Sequence, residues 1–148
     1  MKNRFKISII TVTKNSERFF QKTIDSLSKQ TYQNFEHIVI DGASTDLTLD
    51  IIKKNSNKIT KWISEPDQGL YYAMNKGLSL CTGEIIGILN SDDVYFQDTL
   101  SIVNEYFSKN KIDFLFGSVI KHKLMHGFHP KKILWTFGFY TAHSVGFF

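Results

Sequence analysis

The chain has 148 residues, 42% hydrophobic and 22% charged, a balance that suits one globular domain with a substantial core. Its single cysteine, Cys81, excludes an intramolecular disulfide framework, and no stretch is apolar for long enough to span a bilayer or reads as a secretory leader. A cytoplasmic setting is therefore expected. The net charge of +4 is localised: the chain is neutral up to Asp113, and the excess is Lys121, Lys123, Lys131 and Lys132 in a tail that has no acid. A basic, aromatic-rich tail is suited to an anionic lipid face, a phosphorylated substrate or nucleic acid.

Ile7 to Thr13 is rich in β-branched residues and reads as the first strand. Asn15 or Ser16 is positioned to cap a helix with Phe20, Ile24 and Leu27 on one face, ending near Gln30. Phe35 to Ile40 follows as a second strand, ending on Asp41-Gly42-Ala43-Ser44-Thr45-Asp46. Gly42 permits a tight turn there, Ser44 or Thr45 can cap a helix carrying Leu47, Ile51 and Ile52, and Asp46 suits the positive end of its dipole. Asp41 sits at the strand end, where a carboxylate can accept hydrogen bonds from a base or ribose. An Asx-turn is the plainer alternative.

Ile59 to Ser64 reads as a short third strand. Asp67 then caps a helix whose inward stripe is Leu70, Ala73, Met74, Gly77 and Leu78, leaving Asn75 and Lys76 off the stripe. Ile85 to Leu89 is a short apolar run, expected to be a parallel strand buried on both faces, and it empties into Asn90-Ser91-Asp92-Asp93. Two adjacent carboxylates at such a strand end suit a hard divalent cation shared with substrate phosphates, although Asp93 is also placed to cap the next helix. That helix carries Phe96, Leu100, Val103 and Phe107. A strand over Ile112 to Phe116 and another at Val119-Ile120 follow, and from Lys121 onward the periodicity is lost. A zinc site from His122, His126 and His129 is disfavoured because Gly127 and Pro130 interrupt the helix it would need. Alternating strands and helices through residue 116 argue for a parallel α/β sheet.

Five segments in register carry a family resemblance. They are Ser8 to Asn15, Asp41 to Asp46, Asp67-Gln68-Gly69 through Ala73-Met74-Asn75-Lys76-Gly77, Thr82-Gly83-Glu84, and Leu89 to Asp93. Together, over roughly residues 6 to 120, they resemble the donor-binding half of glycosyltransferase family 2. The resemblance implies a GT-A fold, a Rossmann-like α/β/α layering with a mostly parallel sheet. It also implies a nucleotide-diphospho-sugar donor, Mg²⁺ or Mn²⁺, and sugar transfer with inversion to a saccharide or lipid-linked acceptor, with no nucleic acid as partner.

Residue by residue, the resemblance places Thr11, Thr13 and Asn15 along the nucleotide pocket and Asp41 on the base, most often uracil. Asp67, Gly69, Asn75 and Lys76 would lie against the ribose or diphosphate. Ser91, Asp92 and Asp93 would form the DxD-like segment, with Asp92 as metal ligand. Residues 1–120 would then be the donor domain, and 121–148 the start of an incomplete acceptor-side region.

The pattern departs from the family in three places. Asn90 replaces the first acid of the motif, Tyr72 stands where relatives often carry Asp, and no Asp or Glu follows Asp113, where the general base belongs. His143-Ser144 resembles the start of the acceptor region. The alternative reading is a non-catalytic nucleotide-binding or interaction module. Peripheral membrane contact through the basic tail, and self-association through its aromatics, are further expectations.

Overall fold

In the computed structural model, which describes residues 4–116 and the backbone of three short strands at 119–121, 123–125 and 146–147, the β-branched run forms β1 (Ile7–Thr13). The other strands of the main sheet are β2 (Phe35–Asp41), β3 (Lys61–Ser64), β4 (Ile85–Ile88), β5 (Leu115–Phe116) and β8 (Gly146–Phe147). They are ordered β3-β2-β1-β4-β8-β5, with β3, β2, β1 and β4 mutually parallel and β8 antiparallel to both its neighbours. A separate hairpin pairs β6 (Val119–Lys121) with β7 (Lys123–Met125), where the sequence shows no periodicity. The rest of the tail, including His122, His126, His129 and His143, lies outside the described residues.

Side-chain alternation along β1 assigns the layers. Ile7 and Ile9 face α1 (Phe20–Ser28) and α4 (Thr99–Lys109), in a core with Leu27, Tyr32, Ile85, Leu89, Tyr95, Leu100 and Val103. On the same face Val39 packs with Phe20, Ile24 and Ile52, the last from α2 (Thr48–Lys54). The opposite face belongs to α3 (Leu70–Leu80), through Ala73 against Ile38 and Ile40. A Cβ on Gly77 would lie 2.6 Å from Ile10 Cγ2, so only glycine lets α3 approach β1 this closely. Burying about a dozen large aliphatic and aromatic side chains, at roughly 1.5–3 kcal/mol each, holds this sandwich together.

The structure revises several expectations. β4 is not buried on both faces: Ile85 and Gly87 are buried, but Ile86 and Ile88 are only partly covered, because α3 lies over β1 and β2. Leu47, Leu70 and Phe96 are 60%, 47% and 68% exposed, each preceding or opening its helix instead of packing beneath it. Neither Asn15 nor Ser16 caps α1, which starts only at Phe20, after a turn in which Phe19 and Phe20 donate to the Ser16 carbonyl. Neither Ser44 nor Thr45 caps α2; the Thr48 N–H donates to Asp46 Oδ1. Asp93 does not cap α4, which begins six residues later.

The end of the sheet opposite the strand termini is held by a buried carboxylate. Glu36 on β2 accepts from Ser8 Oγ at 2.6 Å, Thr82 N at 2.6 Å and Thr82 Oγ1 at 2.9 Å, and pairs with Lys6 Nζ at 2.9 Å. Burial alone would raise its pKa, but these donors outweigh it and hold the group at about 2. Thr82-Gly83-Glu84 is thus a structural clamp. Gly83 donates to Ser8 Oγ at 2.9 Å, and a Cβ on it would strike the Lys6 carbonyl at 2.6 Å.

Candidate functional site

The strand order reverses between β1 and β4: β2 and β3 lie to one side of β1, and β4 to the other. In open α/β sheets, the crevice beyond such a switch point is where ligands bind. Two loops form its walls, the Lys14–Glu17 segment after β1 and the Asn90–Asp93 turn after β4. The hydroxyls of Ser16 and Ser91 join them at 2.8 Å.

The Asn90–Asp93 turn is held from behind. Thr23, fully buried on α1, directs its hydroxyl at the carbonyls of Ser91 (2.9 Å) and Asp93 (2.8 Å). Asp93 N–H donates to the Asn90 carbonyl at 3.2 Å, and Asn90 Nδ2 donates to Asp93 Oδ2 at 3.2 Å. The Ser91 hydroxyl is thus taken by Ser16, and an Asp93 oxygen by Asn90. Asp92 is different: it is exposed, and nothing among the described residues donates to its carboxylate. The result is a hydrogen-bonded turn that presents one acid unpaired among the described residues.

The second wall is a clasp between loops. Asn15 N–H donates to Ser44 Oγ at 2.8 Å, and Thr45 N–H returns to Asn15 Oδ1 at 2.9 Å. Asn15 and Ala43 both take left-handed backbone angles, with φ of 51° and 55°. For a non-glycine residue that conformation costs on the order of 1–2 kcal/mol, and such strain gathers at ligand sites. Behind the clasp lies Asp41, buried to 0% exposure. Its Oδ2 accepts from Ser44 N at 3.1 Å and Ser64 Oγ at 2.6 Å, and its Oδ1 accepts from Ser44 Oγ.

Beside it in register is Thr13, 2% exposed, whose hydroxyl has no partner among the described residues. Leaving a buried hydroxyl unmatched costs roughly 1–3 kcal/mol, which singles this one out among the described residues.

Asp67 closes the third side. It accepts from Gly69 N–H at 2.8 Å, and its other oxygen comes so near Gly42 that a Cβ there would lie 2.6 Å away. Gly69 has φ of 118°, which only glycine adopts without strain, and it starts α3 with its N-terminus near the strand ends. Lys76 is half-buried and ion-paired with Glu65, whose N–H donates to the Asp41 carbonyl at 3.0 Å.

Thr13, Asn15, Asp41, Asp67, Gly69, Lys76, Ser91, Asp92 and Asp93 are thus gathered at one end of the sheet. Thr11 is not: it lies inside the sheet with its hydroxyl 3.0 Å from His37 Nε2. Asn75 is exposed on α3. Sequence reading missed Thr23, Ser64 and the coupling of Ser16 to Ser91. For Thr23 there was a signal, a polar side chain set among Phe20, Ile24 and Leu27 on an apolar helix face.

These features define an open α/β protein with a crevice at its topological switch point and an exposed acid, Asp92, on the turn after β4. Residues 8–146 match the profile of Glycosyl transferase family 2, and the chain belongs to that family. It is 36% identical over 118 residues to a PGL/p-HBAD biosynthesis glycosyltransferase of Mycobacterium tuberculosis, covering 76% of this chain and 46% of that one. It is 32% identical over 113 residues to the Escherichia coli UDP-Glc:alpha-D-GlcNAc-diphosphoundecaprenol beta-1,3-glucosyltransferase WfgD, covering 76% and 45%.

Among solved structures, Staphylococcus aureus TarS 1-349 in complex with UDP-GlcNAc superposes with a TM-score of 0.70 at 31% identity, over 75% of this chain and 33% of that one. Glucosyl-3-phosphoglycerate synthase from M. tuberculosis, in complex with Mn²⁺, UDP and glucosyl-3-phosphoglycerate, gives 0.51 at 25% identity, over 59% and 33%. The fold is the GT-A arrangement. The chain spans about half the length of the curated relatives it matches.

Proposed function

We propose that this chain forms the donor-binding half of a metal-dependent, inverting glycosyltransferase that moves a sugar from a UDP-sugar to a saccharide or lipid-linked acceptor. The observation that carries the reading is the exposed Asp92 carboxylate, without a partner among the described residues, on a turn fixed by Thr23 and Asn90. No cluster of three or more His, Cys, Asp or Glu side chains that could hold a metal occurs among the described residues. A single rigid acid still fits Mg²⁺ or Mn²⁺, because such ions keep several waters and take the rest of their oxygens from substrate phosphates. Held there, the ion would offset the charge that builds on the departing diphosphate.

The chain's own residues supply the remaining tasks. Asp41 and Thr13 read the base, with Asp41 accepting from the imide N–H of uracil. Gly42 and Gly69 let the backbone approach the ribose and diphosphate. The N-terminus of α3, with Lys76 nearby, favours the negative charge there. Asp92 orients the diphosphate, so that the sugar's far face lies open to an incoming hydroxyl. The base that takes the proton from that hydroxyl is worth roughly 10²–10⁴-fold in rate. No carboxylate in residues 114–148 can provide it. The lipid-linked acceptor in the WfgD name favours work at the inner face of a membrane.

Release of UDP from UDP-sugars tests the reading, measured with Mn²⁺ and with or without saccharide or lipid-linked acceptors. The expected result is a slow, metal-dependent release that disappears in Asp92→Ala. Release that is unchanged by Asp92→Ala contradicts the site. Metal-dependent binding with no release under any condition supports the alternative, a nucleotide-binding module without chemistry.

A further inference from the structure

Asp41 has two oxygens in different situations. A carboxylate offers about four lone-pair positions. Among the described residues, Oδ2 accepts twice, from Ser44 N–H and from the Ser64 hydroxyl, whereas Oδ1 accepts once, from the Ser44 hydroxyl. Oδ1 is therefore the oxygen with a position left for a base. Ser44 is committed at several points, because its hydroxyl also receives the Asn15 N–H. Among the described residues, Ser64 makes a single side-chain hydrogen bond, the one to Asp41. It stands at the end of β3, an edge strand, directly opposite Asp41 in register, and its hydroxyl reaches Oδ2 at 2.6 Å.

We infer that Ser64 is a positioning residue for nucleotide specificity: its hydroxyl saturates Oδ2 and fixes the carboxylate's rotation, so that only Oδ1 is offered to the base. Without it Oδ2 regains a free lone pair and the carboxylate can turn about its last torsion, which is broad for an sp³–sp² bond. A carboxylate free to turn accepts from an N–H less well aligned, and selection of uracil over cytosine weakens. Cytosine carries an acceptor at N3, so it cannot make this N3 contact with Asp41 in either case. The effect should therefore fall on UDP alone. This inference rests on the proposed reading of Asp41 as the base-reading group.

The test is calorimetry of UDP and CDP, each with Mn²⁺, on the whole chain and on Ser64→Ala, Ser64→Thr, Asp41→Asn and the double variant Ser64→Ala/Asp41→Asn. The parent should prefer UDP by about tenfold or more. Ser64→Ala should lower UDP affinity about five- to tenfold with CDP nearly unchanged, and Ser64→Thr, which keeps the hydroxyl, should retain the preference. In the Asp41→Asn background Ser64→Ala should have no further effect, since coupled residues are not additive. Should Ser64→Ala lose its cooperative melt, Ser64→Cys removes the strong donor at similar volume and takes its place.

A parent that binds UDP and CDP alike overturns the reading of Asp41, and this inference with it. A parent that discriminates, with Ser64→Ala discriminating equally well, overturns this inference alone. Equal losses for UDP and CDP in Ser64→Ala would likewise reduce Ser64 to a support of the fold.

Discussion

At the residue scale, the informative groups are those whose chemistry is left unfinished. Among the described residues Asp92 has no donor and the Thr13 hydroxyl no partner, whereas Asn15, Ser16, Ser44, Ser91 and Asp93 are all matched. A polar group that is buried and unmatched lowers stability, and its persistence is explained by a ligand. Thr13→Val separates these two roles. Removing the unmatched hydroxyl should raise the unfolding free energy by about 1 kcal/mol, while UDP affinity falls severalfold. Denaturant melts and a UDP titration on the same protein check it. A variant that loses stability and keeps its UDP affinity would mean that the hydroxyl serves the fold.

His37 is the counterexample. Its Nδ1 is also buried and unmatched, but it lies within the sheet beside Thr11, and burial pushes its pKa down to about 3, so it stays neutral.

At the element scale, the two ends of the sheet do different work. The far end is stapled by Glu36, which joins β2 to β1 and to the Thr82 connection between α3 and β4. Both Glu36 and His37 have pKa values below their unfolded ones, and both make stability fall with acid. The imidazole takes up a proton near pH 6.5 when unfolded but only near 3 when folded, so stability begins to drop below about 6.5. Glu36 stabilises fully above its unfolded value of 4.5, and that contribution is lost as pH falls towards about 2.

Between pH 6 and 4.5 the expected slope approaches ~1.4 kcal/mol per pH unit, the value for one proton. Glu36→Gln should flatten the curve below pH 4.5 and leave the slope above it. Urea melts across this range measure it; a curve flat from pH 6.5 to 4.5 would show that His37 is not buried neutral.

At the scale of the whole molecule, most of the architecture could be read from the chain because its signals are local and periodic. Ile7–Thr13, Phe35–Asp41 and the α3 stripe through Ala73 and Gly77 follow directly from β-branching and helical spacing. Five separate segments could also be recognised together, and the expected site residues other than Thr11 and Asn75 lie towards the same end of the sheet. What could not be read depends on tertiary partners. Leu70 sits on the right stripe yet is exposed, because α3 starts at Gly69 before it reaches the sheet. β8 pairs between β4 and β5 from far along the chain, with β4 and β5 ending at Ile88 and Phe116 and β8 beginning at Gly146, and its two residues carry no pattern. Ser64 and Thr23 look ordinary until the fold sets them against Asp41 and the Asp92 turn.

The account as a whole turns on one acid. Among the described residues Asp92 has no partner, whereas Asp93 is committed to Asn90, so their substitutions should have different consequences. Calorimetry of UDP in the presence and absence of Mn²⁺, on Asp92→Ala and Asp93→Ala, separates the two. Asp92→Ala should abolish the gain in affinity that Mn²⁺ brings, a loss on the order of 2–4 kcal/mol for a charge-assisted contact. Asp93→Ala should loosen the turn and keep most of that gain. Equal losses in the two variants, or a Mn²⁺ effect that survives Asp92→Ala, would contradict the assignment.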